Sequence, residues 1–211
     1  MFQTHTAYRQ VEECSFSRYR RGRVDISFLA SYLGWAFVYA AMGTLVVLLC
    51  LQIIKGRRIW RTYQFMFATL FFIFLTQHPF PELSQITCPM PYTEPLLEPF
   101  RFLSIFKHRS EMSFSNFIWS IDILLASVVM NFALCAVIGM TMARHAASLR
   151  TAWCFGTILS LGVEITQLTG IWGIYPCAYR QFEVDDLILN VSGVLAGYLL
   201  GRSVGLSPRP C

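Results

Sequence analysis

The sequence predicts an all-α protein, a polytopic transmembrane helical bundle with about five spans. Its 211 residues are 55% hydrophobic and only 14% charged, with a mean hydropathy of +0.50. That composition is too apolar for a soluble domain of this length. Arginines cluster between the apolar runs, where they anchor helices at a membrane surface, so the net positive charge does not indicate a nucleic-acid partner.

The first predicted span follows a polar, basic N-terminal arm, residues 1–25. The apolar run over residues 26–54 contains no charged residue. It is longer than the apolar region of a cleaved signal peptide, so we interpret it as a retained transmembrane helix. A basic turn then opens the main transmembrane domain, residues 55–203, whose second span covers residues 62–77 and is crowded with phenylalanine.

The longest connection, residues 78–116, contains six prolines. Prolines at this density disfavour a regular element and indicate an ordered or re-entrant extracytoplasmic loop. Three further spans are predicted at residues 117–143, 151–174 and 184–202. Residues 204–211 form a short C-terminal tail.

Five spans place the two termini on opposite sides of the membrane. The number of basic residues on each side does not decide the orientation. The compact basic turns at 55–61 and 144–150 share one side, which favours an outward N-terminus. Cys88 and Cys177 then both face outward, where they either form a disulfide or remain two free thiols.

Polar residues gather in the last two spans, where lipid tolerates them least. Glu164 and Gln167 share one face of the fourth span, and Asp186 and Asn190 share one face of the fifth. Small residues that allow close helix contact continue that second face: Gly193, Gly197 and Gly201. We expect this face to pack against a neighbour, most simply the fourth span.

Two interpretations of Glu164 stand side by side. A buried carboxylate costs several kcal/mol unless it is paired, hydrated or protonated. Glu164 is either a neutral acid that joins helices through Gln167 or Asn190, or an acid that faces a ligand or handles protons.

The other polar residues also have two interpretations each. We assign Asp185 mainly to capping its helix and Asp186 to the shared polar face, because adjacent helical residues point about 100° apart. Arg180 pairs with one of these acids, binds a phosphate, or is a plain interfacial arginine. Asn131, a secondary candidate, joins the cluster by an interhelical hydrogen bond.

These residues also carry a family resemblance. The pattern Glu164-x-x-Gln167, then Arg180, then Val-Asp-Asp-Leu-Ile-Leu-Asn-x-x-Gly from Val184 to Gly193 resembles the signature of the VanZ-like family of bacterial integral membrane proteins. Leu-Leu-Glu-Pro-Phe-Arg, which ends at Arg101, is similar to a second family segment and makes Arg101 a secondary candidate. The resemblance implies a multi-pass protein of the bacterial cytoplasmic membrane, and the family's namesake is associated with teicoplanin resistance.

Two functional classes follow, and we favour a non-enzymatic membrane factor. Its outward polar pocket would bind an amphiphilic cell-envelope ligand, such as a lipid-linked cell-wall precursor or a lipoglycopeptide, among the surrounding membrane lipids. The alternative is an intramembrane enzyme that acts on a lipid-linked substrate with a Glu/Asp acid–base or metal site. The sequence predicts no cofactor, and no cysteine spacing indicates a zinc site.

Overall fold

The computed structural model describes residues 26–50, 58–77, 88, 94–103, 123–145 and 148–206. Within these ranges the chain is helical, with a four-residue helical turn at Gly170–Gly173 and five long helices. We number the long helices α1 (Ile26–Cys50), α2 (Arg58–Gln77), α3 (Ile123–Ala143), α4 (Leu149–Leu168) and α5 (Val184–Ser203).

The five long helices overlap the five predicted spans, but among the described residues two helices meet the length and composition criteria for crossing a membrane. The N-terminal arm, residues 51–54 and 117–122, and most of the 78–116 loop lie outside the described residues. By length and apolar composition, Leu33–Cys50 and Val184–Ser203 qualify as membrane spans, and Ser127–Ala143 is apolar but shorter. The structure therefore gives an all-helical protein with two candidate spans.

The fourth helix ends earlier than the sequence predicted. It was expected to continue to residue 174, but α4 stops at Leu168. All four residues of the turn that follows have positive φ angles, including 53° at Ile171 and 58° at Trp172. A left-handed conformation cannot extend a right-handed helix. A Cβ on Gly170 would lie 2.6 Å from the Cys177 carbonyl oxygen, so glycine fits this reversal.

The glycine face of α5 packs against α3, and the expectation that it packs against α4 is wrong. A Cβ at Gly193 would lie 2.5 Å from the Phe132 carbonyl oxygen, and one at Gly197 would overlap the backbone of Ala136. Gly139 of α3 is equally tight against the α5 backbone. Helix α4 instead meets α5 where Gly156 faces Val194.

These contacts also define the two ends of the bundle. Helices α3 and α5 run parallel, because successive α5 glycines meet successive turns of α3. One end, which we call the acidic end, holds Gln77, residues 94–103, Glu164 and residues 170–186. The other, the basic end, holds Arg61, Arg144, Arg150 and Arg202. The buried core between them includes Phe72, Ile138, Val163, Val194 and Tyr198.

Substitution at the α3–α5 contact tests this pairing. Gly197→Leu should lower the free energy of unfolding by at least about 1–3 kcal/mol, because its side chain has to displace the α3 backbone. Gly162→Leu is the matched control, since a Cβ there meets nothing within 4 Å. Thermal melting of the detergent-solubilised variants measures the difference. Equal melting temperatures for the two variants would contradict the pairing.

Candidate functional site

The innermost polar residue of the acidic end is Asn190, which is 2% exposed. Its amide nitrogen donates to Ser160 Oγ of α4 at 3.0 Å, and its amide oxygen accepts from Cys135 Sγ of α3 at 3.5 Å. Both polar atoms of the amide thus make hydrogen bonds to neighbouring helices, which offsets the cost of burying a polar group. Asn190 therefore serves as the junction of three helices.

Glu164 lies one turn after Ser160 on α4, nearer the acidic end, and is 1% exposed. Its Oε2 accepts a hydrogen bond from the backbone N–H of Glu183 at 3.1 Å. Glu183 immediately precedes α5, so the carboxyl group lies beside the N-terminal end of that helix, where the helix dipole favours negative charge. The acid of one helix thereby meets the positive end of the next.

Asp186 lies beside this pair and is half-buried. Its Oδ1 accepts from Asn131 Nδ2 of α3 at 3.1 Å. Asp186 also interacts electrostatically with Glu164 and Glu183, and the Arg180 guanidinium attracts the charge of both Glu164 and Asp186. The structure thus brings these four residues and Asn131 together around the start of α5.

Glu183 is a member of this group that the sequence analysis did not select. It is half-buried, and burial raises its pKa above the ordinary range. The nearby negative charge of Asp186 raises the pKa further, whereas Arg101 lowers it. The signal in the sequence was a third carboxylate directly before Val-Asp-Asp.

Asp185 has a different role from the helix capping that we predicted for it. Its two carboxylate oxygens accept from the backbone N–H groups of Phe100 at 2.5 Å and Phe102 at 2.9 Å. The residue at the N-cap position of α5 is Glu183, which makes no side-chain capping bond. Asp185 instead fastens a distant loop to the helix, and Phe100 in that loop has a φ of 67°.

Two further contacts attach the same loop to the segment before α5. Leu96 N–H donates to the Phe182 carbonyl at 2.8 Å, and Val184 N–H donates to the Leu96 carbonyl at 3.0 Å. Cys88 and Cys177 form a disulfide with a Cα–Cα distance of 6.2 Å, which resolves the alternative left open above. Residues 94–103 are therefore an integral part of the acidic end.

Gln167 does not join the carboxylates. Its amide nitrogen donates to the Thr76 carbonyl of α2 at 2.9 Å. Beside it, Gln77 accepts from the Tyr179 hydroxyl and donates to the Val163 carbonyl at 3.5 Å. Burial raises the pKa of Tyr179 to about 12. Gln77 and Tyr179 were missed because one ends a phenylalanine-rich span and the other resembles an interfacial aromatic residue.

The described residues contain no group of three His, Cys, Asp or Glu side chains placed to hold a metal ion. The cluster combines hydrogen-bond donors and acceptors with charged side chains. Buried Glu164 and Asn190 form what we call its floor, and half-buried Arg180, Glu183 and Asp186 form what we call its rim.

Removing one carboxylate oxygen from Asp185 should release the loop. Asp185→Asn replaces an acceptor with a donor against the Phe102 or Phe100 N–H, and hydrogen bonds to charged groups contribute about 1.5–3 kcal/mol. Hydrogen exchange over residues 94–103 should accelerate by at least about tenfold. Glu98→Gln, at an exposed position of the same loop, is the control. Unchanged exchange in Asp185→Asn would contradict the anchoring role.

The raised pKa of Glu183 predicts a pH dependence of stability. The folded protein binds this proton more tightly than the unfolded chain does, so the stabilisation is complete below about pH 4.3 and is lost as the pH rises through the folded-state pKa. Glu183→Gln should therefore melt at a higher temperature than wild type at neutral pH, by a margin that shrinks on acidification. If the difference in melting temperature between Glu183→Gln and wild type is the same at every pH, the pKa of Glu183 is not raised in the folded protein.

Comparison with known proteins gives one match. The VanZ/LLP1 family model matches residues 62–205, which include α3, α4, α5 and all but the first four residues of α2. No curated protein and no solved structure matches the chain. The matched segment contains every residue of the floor and rim, and it covers most of the chain. The protein therefore belongs to the VanZ/LLP1 family.

Proposed function

We propose that this protein is a non-enzymatic, multi-pass factor of the bacterial cytoplasmic membrane that binds the polar head of an amphiphile at its acidic end. The ligand class is a lipid-linked cell-wall precursor or a lipoglycopeptide such as teicoplanin. The observation that carries the proposal is the gradient in burial, from the fully buried floor at Glu164 and Asn190 to the partly exposed rim at Arg180, Glu183 and Asp186.

The chemistry of the rim supports this ligand class. Carboxylates accept hydrogen bonds from sugar hydroxyls and amines, and a guanidinium binds a phosphate through two parallel hydrogen bonds. The rim offers both, since Arg180 acts electrostatically on Asp186 and Arg101 acts on Glu183. A head group that combines sugar, amine and phosphate would complement this arrangement.

The apolar surroundings of the rim fit the lipid part of the same ligand. Leu97, Phe100 and Leu103 are more than half exposed in the loop that Asp185 fastens, and Trp172 and Ile174 are exposed on the turn after α4. Exposed apolar side chains beside a polar cluster suit a molecule with a polar head and a hydrocarbon tail. Both parts of an amphiphile would thus find complementary surfaces at one end of the bundle.

The proposal includes five membrane crossings. Helices α1 to α5 contain 20 to 25 residues each, which at 1.5 Å per residue is about the length that a hydrocarbon core of about 30 Å requires. Helices α2 and α4 do not qualify as spans by length and composition, and they carry Gln64 and Gln167, respectively. Those residues bond to neighbouring helices, as polar groups of packed transmembrane helices do.

One observation supports the alternative, an intramembrane enzyme. Glu164 and Asp186 interact electrostatically and differ in burial, since Glu164 is fully buried and Asp186 is half-buried. Acid–base catalysis by two carboxylates uses such a difference, because one acid must hold a proton while the other is ionised. Turnover of a lipid-linked substrate by the purified protein would favour this alternative over binding alone.

Ligand binding by two conservative variants tests the proposal. Glu164→Gln keeps an oxygen acceptor for the Glu183 N–H and should fold normally, and Asp186→Asn keeps its shape beside Asn131. Asp186→Asn should weaken binding of a lipid-linked precursor or of teicoplanin by about 10- to 100-fold, since a charge-assisted hydrogen bond contributes about 1.5–3 kcal/mol. Glu164→Gln should weaken it indirectly, because the carboxyl group that bonds to the Glu183 N–H lies directly behind the rim. Titration of the protein in nanodiscs, monitored by native mass spectrometry, measures the change.

The control for this experiment is Glu94→Gln, an exposed position at the edge of the loop. It should bind as wild type does. If Glu164→Gln and Asp186→Asn also bind both ligands as wild type does, the cluster only joins helices and the proposal is wrong.

A further inference from the structure

We propose that the basic end is a binding surface for the head groups of anionic phospholipids. The surface consists of Arg61, Arg144, Arg150 and Arg202, which come from four different helix ends. Its occupant would be lipid of the leaflet that this end contacts, and the site lies at the opposite end of the bundle from the carboxylate cluster.

Side-chain contacts place Arg61 and Arg144 together. Arg61 Nη1 donates to the Arg144 carbonyl at 3.5 Å, and the Arg144 guanidinium donates to the Gln64 side-chain oxygen. The rings of Phe65 and His145 also meet, with centroids 5.9 Å apart. Helix α2 and the turn after α3 therefore hold two arginines side by side.

The other two arginines lie at the same level. Ser148 caps α4 by accepting a hydrogen bond from Thr151 N–H at 3.1 Å. The helix begins at Leu149, so Arg150 lies in its first turn. Gly201 contacts Met140 and Ala143, so Arg202, in the last turn of α5, lies near the end of α3. Arg61, Arg150 and Arg202 are exposed.

The balance of charge at this end is entirely positive. The chain contains 12 acidic residues, yet none lies within residues 26–81, 123–163 or 187–211. Those ranges include α1, α2, α3 and all of α5 beyond its first turn. The described acids belong to the acidic end instead. Within the described residues, these four arginines therefore have no carboxylate partner to neutralise them.

Anionic phospholipid fits this surface better than a soluble acidic partner does. The arginines sit directly at the ends of apolar helices, and exposed Trp153 lies one turn inside Arg150. Tryptophan at that position is typical of the level where lipid head groups meet hydrocarbon. A guanidinium at the same level can bind a phosphate with two hydrogen bonds.

Anionic lipid at the basic end would also orient the bundle in the membrane. Anionic lipid gives the cytoplasmic leaflet a negative surface potential, which attracts basic residues by about 1 kcal/mol each. The basic end should therefore face the cytoplasm, and the acidic end should face outward. The number of Lys and Arg residues alone did not decide this, because arginines occur at both ends. Among the described residues the carboxylates lie at the acidic end only, so the basic end is the one whose arginines are left for anionic lipid.

Lipid binding to purified protein tests the surface. Native mass spectrometry of the full chain should show tighter binding of phosphatidylglycerol than of phosphatidylcholine. The triple variant Arg61→Gln, Arg150→Gln, Arg202→Gln should lose phosphatidylglycerol affinity by about fivefold per arginine, or roughly 100-fold in all, with phosphatidylcholine binding unchanged. Lysine at the same three positions keeps the charge and should recover most of the affinity.

Three outcomes would overturn the proposal. They are equal binding of the two lipids by wild type, wild-type phosphatidylglycerol binding by the glutamine triple variant, and stronger binding of an RNA oligonucleotide than of phosphatidylglycerol. Orientation gives a separate measurement in intact cells. Ser148→Cys should add no labelling by a membrane-impermeant maleimide over the parent, whereas Glu98→Cys should add it. The reverse pattern would also overturn the proposal.

Discussion

The direct contact between α3 and α5 is the constraint on which the polar site depends. In a membrane, helices associate through close packing and hydrogen bonds because lipid is as apolar as their side chains. Glycines at 139, 193 and 197 let the two backbones touch. Only at that separation do Asn131 and Cys135 of α3 reach Asp186 and Asn190 of α5. The contact that stabilises the bundle thus also assembles the cluster.

The sequence predicted the shared faces but not which helices they meet. Helical spacing correctly placed Asp186, Asn190 and the glycines on one side of α5. A stripe of small residues specifies how near a neighbour comes, yet says nothing of which neighbour it is, so choosing the adjacent fourth span was wrong. The end of α4 was also misplaced, because the hydrophobic pattern continues through Ile171 and Ile174 while the backbone reverses at Gly170.

Contacts between side chains and distant backbone were beyond the reach of sequence patterns. Asp185 meets Phe100 across a separation of 85 residues, and any loop can offer a backbone N–H. Its position at a helix start made capping the simplest interpretation. The same reason hid the bond from Gln167 to the Thr76 carbonyl. Residue type and spacing selected the polar side chains, whereas the partners to which they bond could come only from the fold.

Carboxylates crowd together at the acidic end, whereas the junction at Asn190 carries no charge. Asn190 achieves helix joining with a neutral amide that bonds to Ser160 and Cys135. Glu164, Glu183 and Asp186 instead repel one another electrostatically in a partly desolvated region, which costs folding free energy that neutral residues would avoid. Arg180 and Arg101 offset part of this repulsion. Under the proposed function, a cationic or hydroxyl-rich head group bound at the rim would offset more of this repulsion.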